Sequence, residues 1–382
     1  MLSWSFVAAA LLLALVPPRL PPRTRGLVFS ALSLAAARAL WRLPVLPILA
    51  TSVAVYAAGR ALPRLPGHTR AWALGATIVL LVTVFVRFKL EAAPAPTLAS
   101  TNAVVGLSYF TLKFIQHLVD AAAGRARGVG PHAFVCTIFF LPTYPAGPIE
   151  RTIDFARELE RSDRGWGERA LGVERIVIGM GKKFLLADPL LRWALPLLHG
   201  PEAAPSGILL AAIDAFAFGL YLDFAAYSDL AIGAARLAGV EVRENFDWPY
   251  LRQNPGELWR HWHMSFTGWL RDFVFLPTAR RLLRATRRPL PSQLGAQIVT
   301  MLVCGLWHGL SWNFVLWGAY QALGLGTHAT WRAWRGPAPT NAPLRAALST
   351  VATFHFFAVG LVLFACDVPL TVAVLARALG LT

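Results

Sequence analysis

The sequence predicts an all-α integral membrane protein. Of its 382 residues, 56% are hydrophobic and only 15% are charged, with a mean hydropathy of +0.52. A soluble domain that apolar could not cover its own surface with polar groups. The apolar residues come in runs, near 2–16, 26–40, 43–59, 71–88, 103–119, 132–149, 170–198, 207–238, 296–326, 346–366 and 368–381. Basic residues gather between these runs, as they do in the cytoplasmic loops of polytopic proteins. The formal net charge of +16 therefore marks loops rather than a nucleic-acid surface, and no nucleic-acid partner is expected.

The first run, MLSWSFVAAALLLALV, has no basic n-region and no small-x-small cleavage site before Pro17. It reads as a retained first span rather than a signal peptide. Several later runs are shorter than the roughly 20 residues that a helix needs to cross a bilayer core. Tilt, local thinning or re-entrant segments must accommodate them. Arg19, Arg23 and Arg25 form one basic group, Arg60, Arg64 and Arg70 a second, and Arg125 and Arg127 a third. Two spans between the second and third groups flank EAAPAPTLASTN (91–102), which carries no basic residue. If 26–40 crosses despite Arg38, even numbers of crossings join the groups, which puts them in the cytoplasm and the N-terminus outside. RRLLRATRR (280–288) belongs on the cytoplasmic side by the same rule. The expected location is the cytoplasmic (inner) membrane, multi-pass. Cys136, Cys304 and Cys366 are isolated, so neither a disulfide framework nor a cysteine zinc site is expected.

Four stretches carry chemistry. GLWHGLSWNFVLWG (305–318) places His308 in the run from about Ile298 to Gly326. Counted from Ile298, the imidazole falls about 15 Å in, near a bilayer midplane, and an ionisable group there is a functional candidate by default. A neutral histidine bonded to a neighbouring carbonyl is the bland alternative. NPGELWRHWHMSFTGWLRDFVFLP (254–277) starts with Asn254, Pro255 and Glu257 as N-cap, N1 and N3 of a helix. Trp259, Trp262, Phe266, Trp269, Leu270 and Phe273 follow at helical spacing, as in a helix lying at the membrane interface. His261 and His263 lie on different faces of such a helix, and no cysteine or acidic residue completes a metal set, so no zinc site is expected. In LPTYPAGPIERTIDF (141–155), four Pro and Gly residues forbid a regular helix inside an apolar run, which suits a re-entrant wall. In GLYLDFAAYSDLAIG (219–233), Asp223 and Tyr227 are i,i+4 neighbours, with Ser228 and Asp229 next. The carboxylates need Arg or His partners, which the other stretches could supply, and a packing role competes with a catalytic one.

Together these stretches resemble the membrane-bound O-acyltransferase family, in its alginate O-acetylation and teichoic-acid D-alanylation branch. The resemblance rests on Trp307, His308 and Gly309 followed by Trp312, Phe314, Trp317 and Gly318. It rests also on Trp259, Arg260, Trp262, His263, Ser265, Trp269, Leu270, Arg271 and Asp272, on Ala146 to Ile149 with Arg151, and on Tyr221 to Gly233. GLSYFTLKFIQHLVD (106–120) and FHFFAVGLVLF (354–364) are similar to further family segments. Ala225 and Ala226 stand where the family usually has Ser-Gly. Residues 1–104 match only as transmembrane helices, and 105–382 form the core with both histidines.

The resemblance implies about eleven transmembrane or re-entrant helices around a central tunnel. It implies an enzyme, an acyltransferase moving an acyl group, acetyl first, from a cytoplasmic thioester to a hydroxyl of a cell-envelope or extracellular polysaccharide. The thioester, acetyl-CoA or an acyl carrier protein, is a co-substrate; no resident cofactor or metal is implied. It makes His308 and His263 catalytic, with Trp307, Trp312, Asn313, Arg151, Asp223, Tyr227, Ser228, Arg271 and Asp272 around the substrates. The expected partners are membrane lipid, the acyl donor and an extracytoplasmic transferase that completes transfer. An imidazole suits the chemistry, because an alcohol attacks well only when a base takes its proton. Three other readings stay open here: D-alanyl transfer from a carrier protein, a transporter with a polar path, and an export scaffold. A fourth concerns Cys304, one helical turn before His308, whose thiolate could carry the acyl group covalently.

Overall fold

The computed structural model describes residues 4–17, 19–42, 44–91, 105–161, 165–336 and 343–381. Among them every regular element is a helix. Apart from Glu91, the loop EAAPAPTLASTN lies outside the described residues. The chain folds as two compact units. One comprises Met1–Met180 and Ala226–Glu244, the other Gly181–Ala225 and Asn245–Thr382.

The first unit contains α1 (Trp4–Leu12), α2 (Pro22–Trp41), α3 (Val45–Ala61), α4 (Gly67–Glu91), α5 (Leu107–Ala122), α6 (Pro131–Phe139) and α7 (Thr152–Glu160). It also holds nearly all of α8 (Gly165–Gly181) and the last turns of α10 (Ser206–Leu237). Its core is aromatic: Phe29 packs edge-on to Phe140 at 5.7 Å between ring centroids, and Phe140 to Phe155 at 5.1 Å. Arg25, read in the sequence as a loop charge, is buried. Its guanidinium donates to the carbonyls of Glu158, Leu159 and Arg161, satisfying carbonyls at the C-terminal end of α7. The run 132–149 is helical only to Phe139. Beyond it Leu141–Thr143 form one tight turn and residues 144–150 are irregular, all of them buried. As expected of Pro and Gly at those positions, the backbone leaves the helix and finds side-chain partners instead. Leu141 N donates to Ser33 Oγ at 3.0 Å, Ala146 N donates to Tyr227 Oη at 3.1 Å, and Tyr227 Oη donates to Pro142 O at 2.9 Å.

The second unit contains α9 (Asp188–His199), the first part of α10, α11 (Pro255–His261), α12 (Met264–Leu270), α13 (Leu276–Thr286), α14 (Pro289–His308), α15 (Trp312–Arg335), α16 (Pro343–Ala365) and α17 (Val368–Ala378). π-helical turns at Lys182–Ala187 and Arg271–Phe275 precede α9 and α13. The apolar run 296–326 is therefore two helices, α14 and α15, reversing at 309–311. They touch backbone to backbone. A Cβ on Gly318 would stand 2.5 Å from Met301 O, and one on Gly305 would overlap Phe314 O. Close contacts of this kind are how helices associate without a hydrophobic driving force between them.

Five described helical stretches are long and apolar enough to cross a membrane: Val45–Arg64, Gly67–Glu91, Ser206–Leu237, Pro289–His308 and Pro343–Ala365. The remaining expected crossings fall on shorter or less apolar helices. α2, on which the topological count depended, is not among the five.

Gly318→Val should disrupt the α14–α15 contact. Overpacking of this kind costs about 1–3 kcal/mol, so the melting temperature in detergent should fall by several degrees. An unchanged melting curve would show that the two helices do not pack through this glycine.

Candidate active site

His308 is the last residue of α14, a helix that begins at Pro289 rather than near Ile298. The midplane position counted from Ile298 therefore does not follow from the helix that forms. The reversal after it is built from Gly309, whose N–H donates to Gly305 O at 3.1 Å. Gly309 lacks a Cβ where one would overlap the Phe314 ring. The half-buried imidazole sits among aromatic rings: Trp307 at 4.7 Å, Phe364 at 4.8 Å, Trp317 at 5.4 Å, Phe266 at 6.1 Å and Phe314 at 6.2 Å between centroids. Four helices, α12, α14, α15 and α16, thus supply the rings that fix it.

His263 reaches the same cluster from another direction. The expected helix over 254–277 begins as read, with Asn254 Oδ1 accepting from Glu257 N at 2.9 Å and Pro255 at N1. It does not continue as one helix. It stops after His261, and His263 adopts a left-handed backbone, φ 44°, before α12 starts. A non-glycine residue held there is strained, and such positions cluster at functional sites. Asn245, fully buried, holds the break in place. Its carbonyl accepts from Met264 N at 2.8 Å, and its Oδ1 accepts from Ser265 Oγ at 2.7 Å. The buried His263 ring packs on Phe224 at 4.7 Å, Phe266 at 5.0 Å and Trp307 at 6.4 Å. Phe266 and Trp307, themselves 4.2 Å apart, lie against both imidazoles.

The break also corrects the interfacial reading of this segment. Trp259, Trp262, Phe266 and Trp269 are all buried, so the stripe faces protein rather than headgroups. Trp259 Nε1 donates to Gln321 Oε1 on α15 at 3.2 Å.

Residues 90–365 match the model of the membrane-bound O-acyltransferase family. The chain belongs to this family.

It is 29% identical over 265 residues to the teichoic acid D-alanyltransferase of Streptococcus thermophilus, a match covering 66% of this chain and 63% of that protein. It is 33% identical over 234 residues to the probable alginate O-acetylase AlgI of Azotobacter vinelandii, covering 60% and 44%. With the peptidoglycan O-acetyltransferase of Helicobacter pylori it shares 28% over 202 residues, covering 50% and 36%. The chain thus spans between about one third and two thirds of the length of these relatives. Its apolar helices and its family make it a multi-pass membrane protein.

Only part of the residue set read from the family motifs gathers in the second unit with the histidines. Trp307 is at the centre of the cluster. Trp312 is 76% exposed on the first turn of α15 and does not hold the imidazole as expected. Asn313 Nδ2 donates to Leu363 O at 2.9 Å and ties α15 to α16. Asp223 shares Lys183 with Asp188, at 2.7 and 2.6 Å. Arg271 pairs with Asp272 at 2.8 Å in the π-helical turn, its side chain largely exposed.

Arg151, Tyr227 and Ser228 belong to the other unit. Arg151 precedes α7, and its carbonyl accepts from Phe155 N at 2.9 Å. Ser228 is buried on α10, and Tyr227 stitches the irregular 141–147 segment. Asp229 pairs with Arg175 at 2.6 Å, which also holds Glu244 at 2.5 Å. Arg175 of α8 and Lys183 of the turn after it thus pair with Asp229 and Asp223.

Sequence reasoning missed Asn245, Lys183 and Arg175. Two adjacent lysines inside the apolar run 170–198 were the available signal, since charges there require partners. No spacing rule connects Asn245 with Ser265.

Trp307→Ala should be costly, about 3–5 kcal/mol as for a buried aromatic, whereas Trp312→Ala should stay within about 0.5 kcal/mol. Thermal unfolding of the two variants in the same detergent makes the comparison. Equal losses would mean that the rings do not divide as described.

Proposed function

We infer that this chain is an O-acyltransferase that moves an acyl group, acetyl first, from a cytoplasmic thioester to a hydroxyl of a cell-envelope or extracellular polysaccharide. The observation that carries this reading is the imidazole of His308, half-buried at a helix end and walled by aromatic rings that it shares with a second imidazole. The names of the relatives support it, since alginate, peptidoglycan and teichoic acid are all envelope or extracellular polymers.

In this reading His308 is the general base. An imidazole nitrogen takes the proton of the acceptor hydroxyl as its oxygen attacks the thioester carbonyl carbon. The tetrahedral intermediate then collapses, the C–S bond breaks, and the imidazolium returns the proton to the departing thiolate. His263 acts on the same substrates from across Phe266 and Trp307. Rings packed around His308 limit the water that could hydrolyse the thioester. The donor is acetyl-CoA or an acyl carrier protein, and the attacking hydroxyl belongs to the polysaccharide or to an extracytoplasmic transferase that passes the acyl group on to it. The protein sits in the cytoplasmic membrane with its N-terminus outside.

A second reading, D-alanyl transfer to teichoic acid, is favoured by the larger share of the relatives' own length that the D-alanyltransferase matches cover, 63% and 68% against 49% for the alginate O-acetylase of Pseudomonas aeruginosa. It uses the same base and the same bond changes. A covalent route through Cys304 is disfavoured, because that thiol is fully buried on α14.

His308→Ala should reduce transfer by at least about 100-fold, the lower end of general-base contributions, at unchanged protein level. The measurement is label transferred from radiolabelled acetyl-CoA or acyl carrier protein by the purified protein. Activity within about tenfold of the unaltered chain would remove His308 from this role. No transfer from either donor by the unaltered chain would favour transport or scaffolding. Cys304→Ala should retain near-normal turnover, and loss of turnover together with a hydroxylamine-sensitive label would instead make Cys304 the nucleophile.

A further inference from the structure

Helices α14, α15 and α16 run antiparallel in turn. Gly305 of α14 lies against Phe314 and Gly326 of α15 against Leu294, while Asn313 bonds Leu363 and Tyr320 bonds Phe356 across α15 and α16. The pairings divide the three-helix layer into two ends. His308 and the 309–311 reversal form one; the start of α14, the end of α15 and the start of α16 form the other. α13 folds back along the start of α14, with Leu282 against Gly295 and Thr286 Oγ1 2.9 Å from Ser292 Oγ.

Charge divides the same way. No Asp, Glu or Lys occurs between Asp272 and Asp367, and the arginines of that stretch are Arg280, Arg281, Arg284, Arg287, Arg288, Arg332, Arg335 and Arg345. They lie toward the end away from His308. Arg280, Arg281, Arg284, Arg287 and Arg288 are exposed. Among the described residues none of their guanidinium groups is placed in a hydrogen bond or ion pair. The nearby acids Glu257 and Asp272 already pair with Arg260 and Arg271. Pro277, Arg280, Arg281, Arg284 and Ala285 line an open concavity of about 560 Å³. At the end of α15, Trp331 and Trp334 are exposed, and the Arg335 guanidinium lies 4.9 Å from each ring centroid.

We propose that this arginine face, from α13 to the end of α15, is a binding surface for the phosphate headgroups of anionic phospholipids. Five unpaired guanidinium groups call for anions, and phosphate accepts their forked N–H donors. The tryptophans specify a lipid surface rather than a soluble acidic partner. Exposed indoles beside guanidinium groups are the composition of the headgroup layer, and Leu283, exposed on the same helix, adds an apolar side chain that can enter the acyl boundary. The surface is at the opposite end of the layer from His308, so its role is separable from transfer chemistry.

The test uses the full chain in nanodiscs, which expose both membrane faces, doped with spin-labelled phosphatidylglycerol or spin-labelled phosphatidylcholine. The unaltered chain should immobilise the anionic probe in preference to the zwitterionic one. The variant with Arg280→Gln, Arg281→Gln and Arg284→Gln should lose most of that preference, on the order of fivefold for each arginine removed. Raising the salt to about 0.5 M should weaken the preference of the unaltered chain too, a readout that needs no variant. Equal preference in both proteins, or a preference that ignores salt, would overturn the proposal. So would a variant that keeps its lipid preference but no longer binds coenzyme A or an acidic acyl carrier protein, because the face would then belong to the donor.

Discussion

The backbone contact between α14 and α15 is the constraint on which the histidine site depends. Gly305 and Gly318 let the two helices approach until each main chain meets the other. The reversal between them can then be only three residues long, with Gly309 under the Phe314 ring. That reversal ends α14 at His308 and brings Phe314 and Trp317 of α15 beside its ring. Asn313, clamped to α16, carries the arrangement on to Phe364. A bulkier residue at either glycine would separate the helices, and the imidazole would lose two of its walls together.

The second imidazole depends on a different device, a break held by hydrogen bonds to one residue remote in sequence. Inside an apolar protein an interrupted helix leaves N–H and C=O groups without partners, each costly to bury. Asn245 meets part of this demand at the α11–α12 break through Met264 and Ser265. Tyr227 plays the corresponding part in the other unit, where its hydroxyl links Pro142 and Ala146. Each irregular segment draws on a buried polar residue remote in sequence. Both are also places where the chain departs from the apolar helices around it.

The helices themselves were legible because apolar runs bounded by arginine, proline and glycine leave little choice of structure. The start at Asn254 and Pro255 was legible for a local reason, since a capping residue and its N–H acceptor lie three positions apart. What the residues 254–277 concealed was the break. A stripe of Trp259, Trp262, Phe266 and Trp269 keeps nearly helical spacing across it, because the chain resumes a helix two residues later and still buries the same rings. The motif around His308 pointed to a histidine that aromatic rings do surround, but also to Trp312, which lies on the other side of the reversal and is exposed. The partners of Asp223 and Asp229 were hidden because ion pairs between helices leave no periodic trace; Lys183 and Arg175 lie dozens of residues away.

Two imidazoles against shared rings would serve a packed core as well as a catalyst, and the half-exposure of His308 lets a measurement tell the two apart. A ring that substrate can reach can also be replaced by a small base from solution. The most direct measurement is therefore rescue of the His308→Ala protein by added imidazole. As the general base, His308 should be replaceable, so transfer should rise with imidazole concentration, and among methylated imidazoles of similar size the more basic should restore more activity. A residual rate that ignores both the concentration and the basicity of the added base would contradict the account.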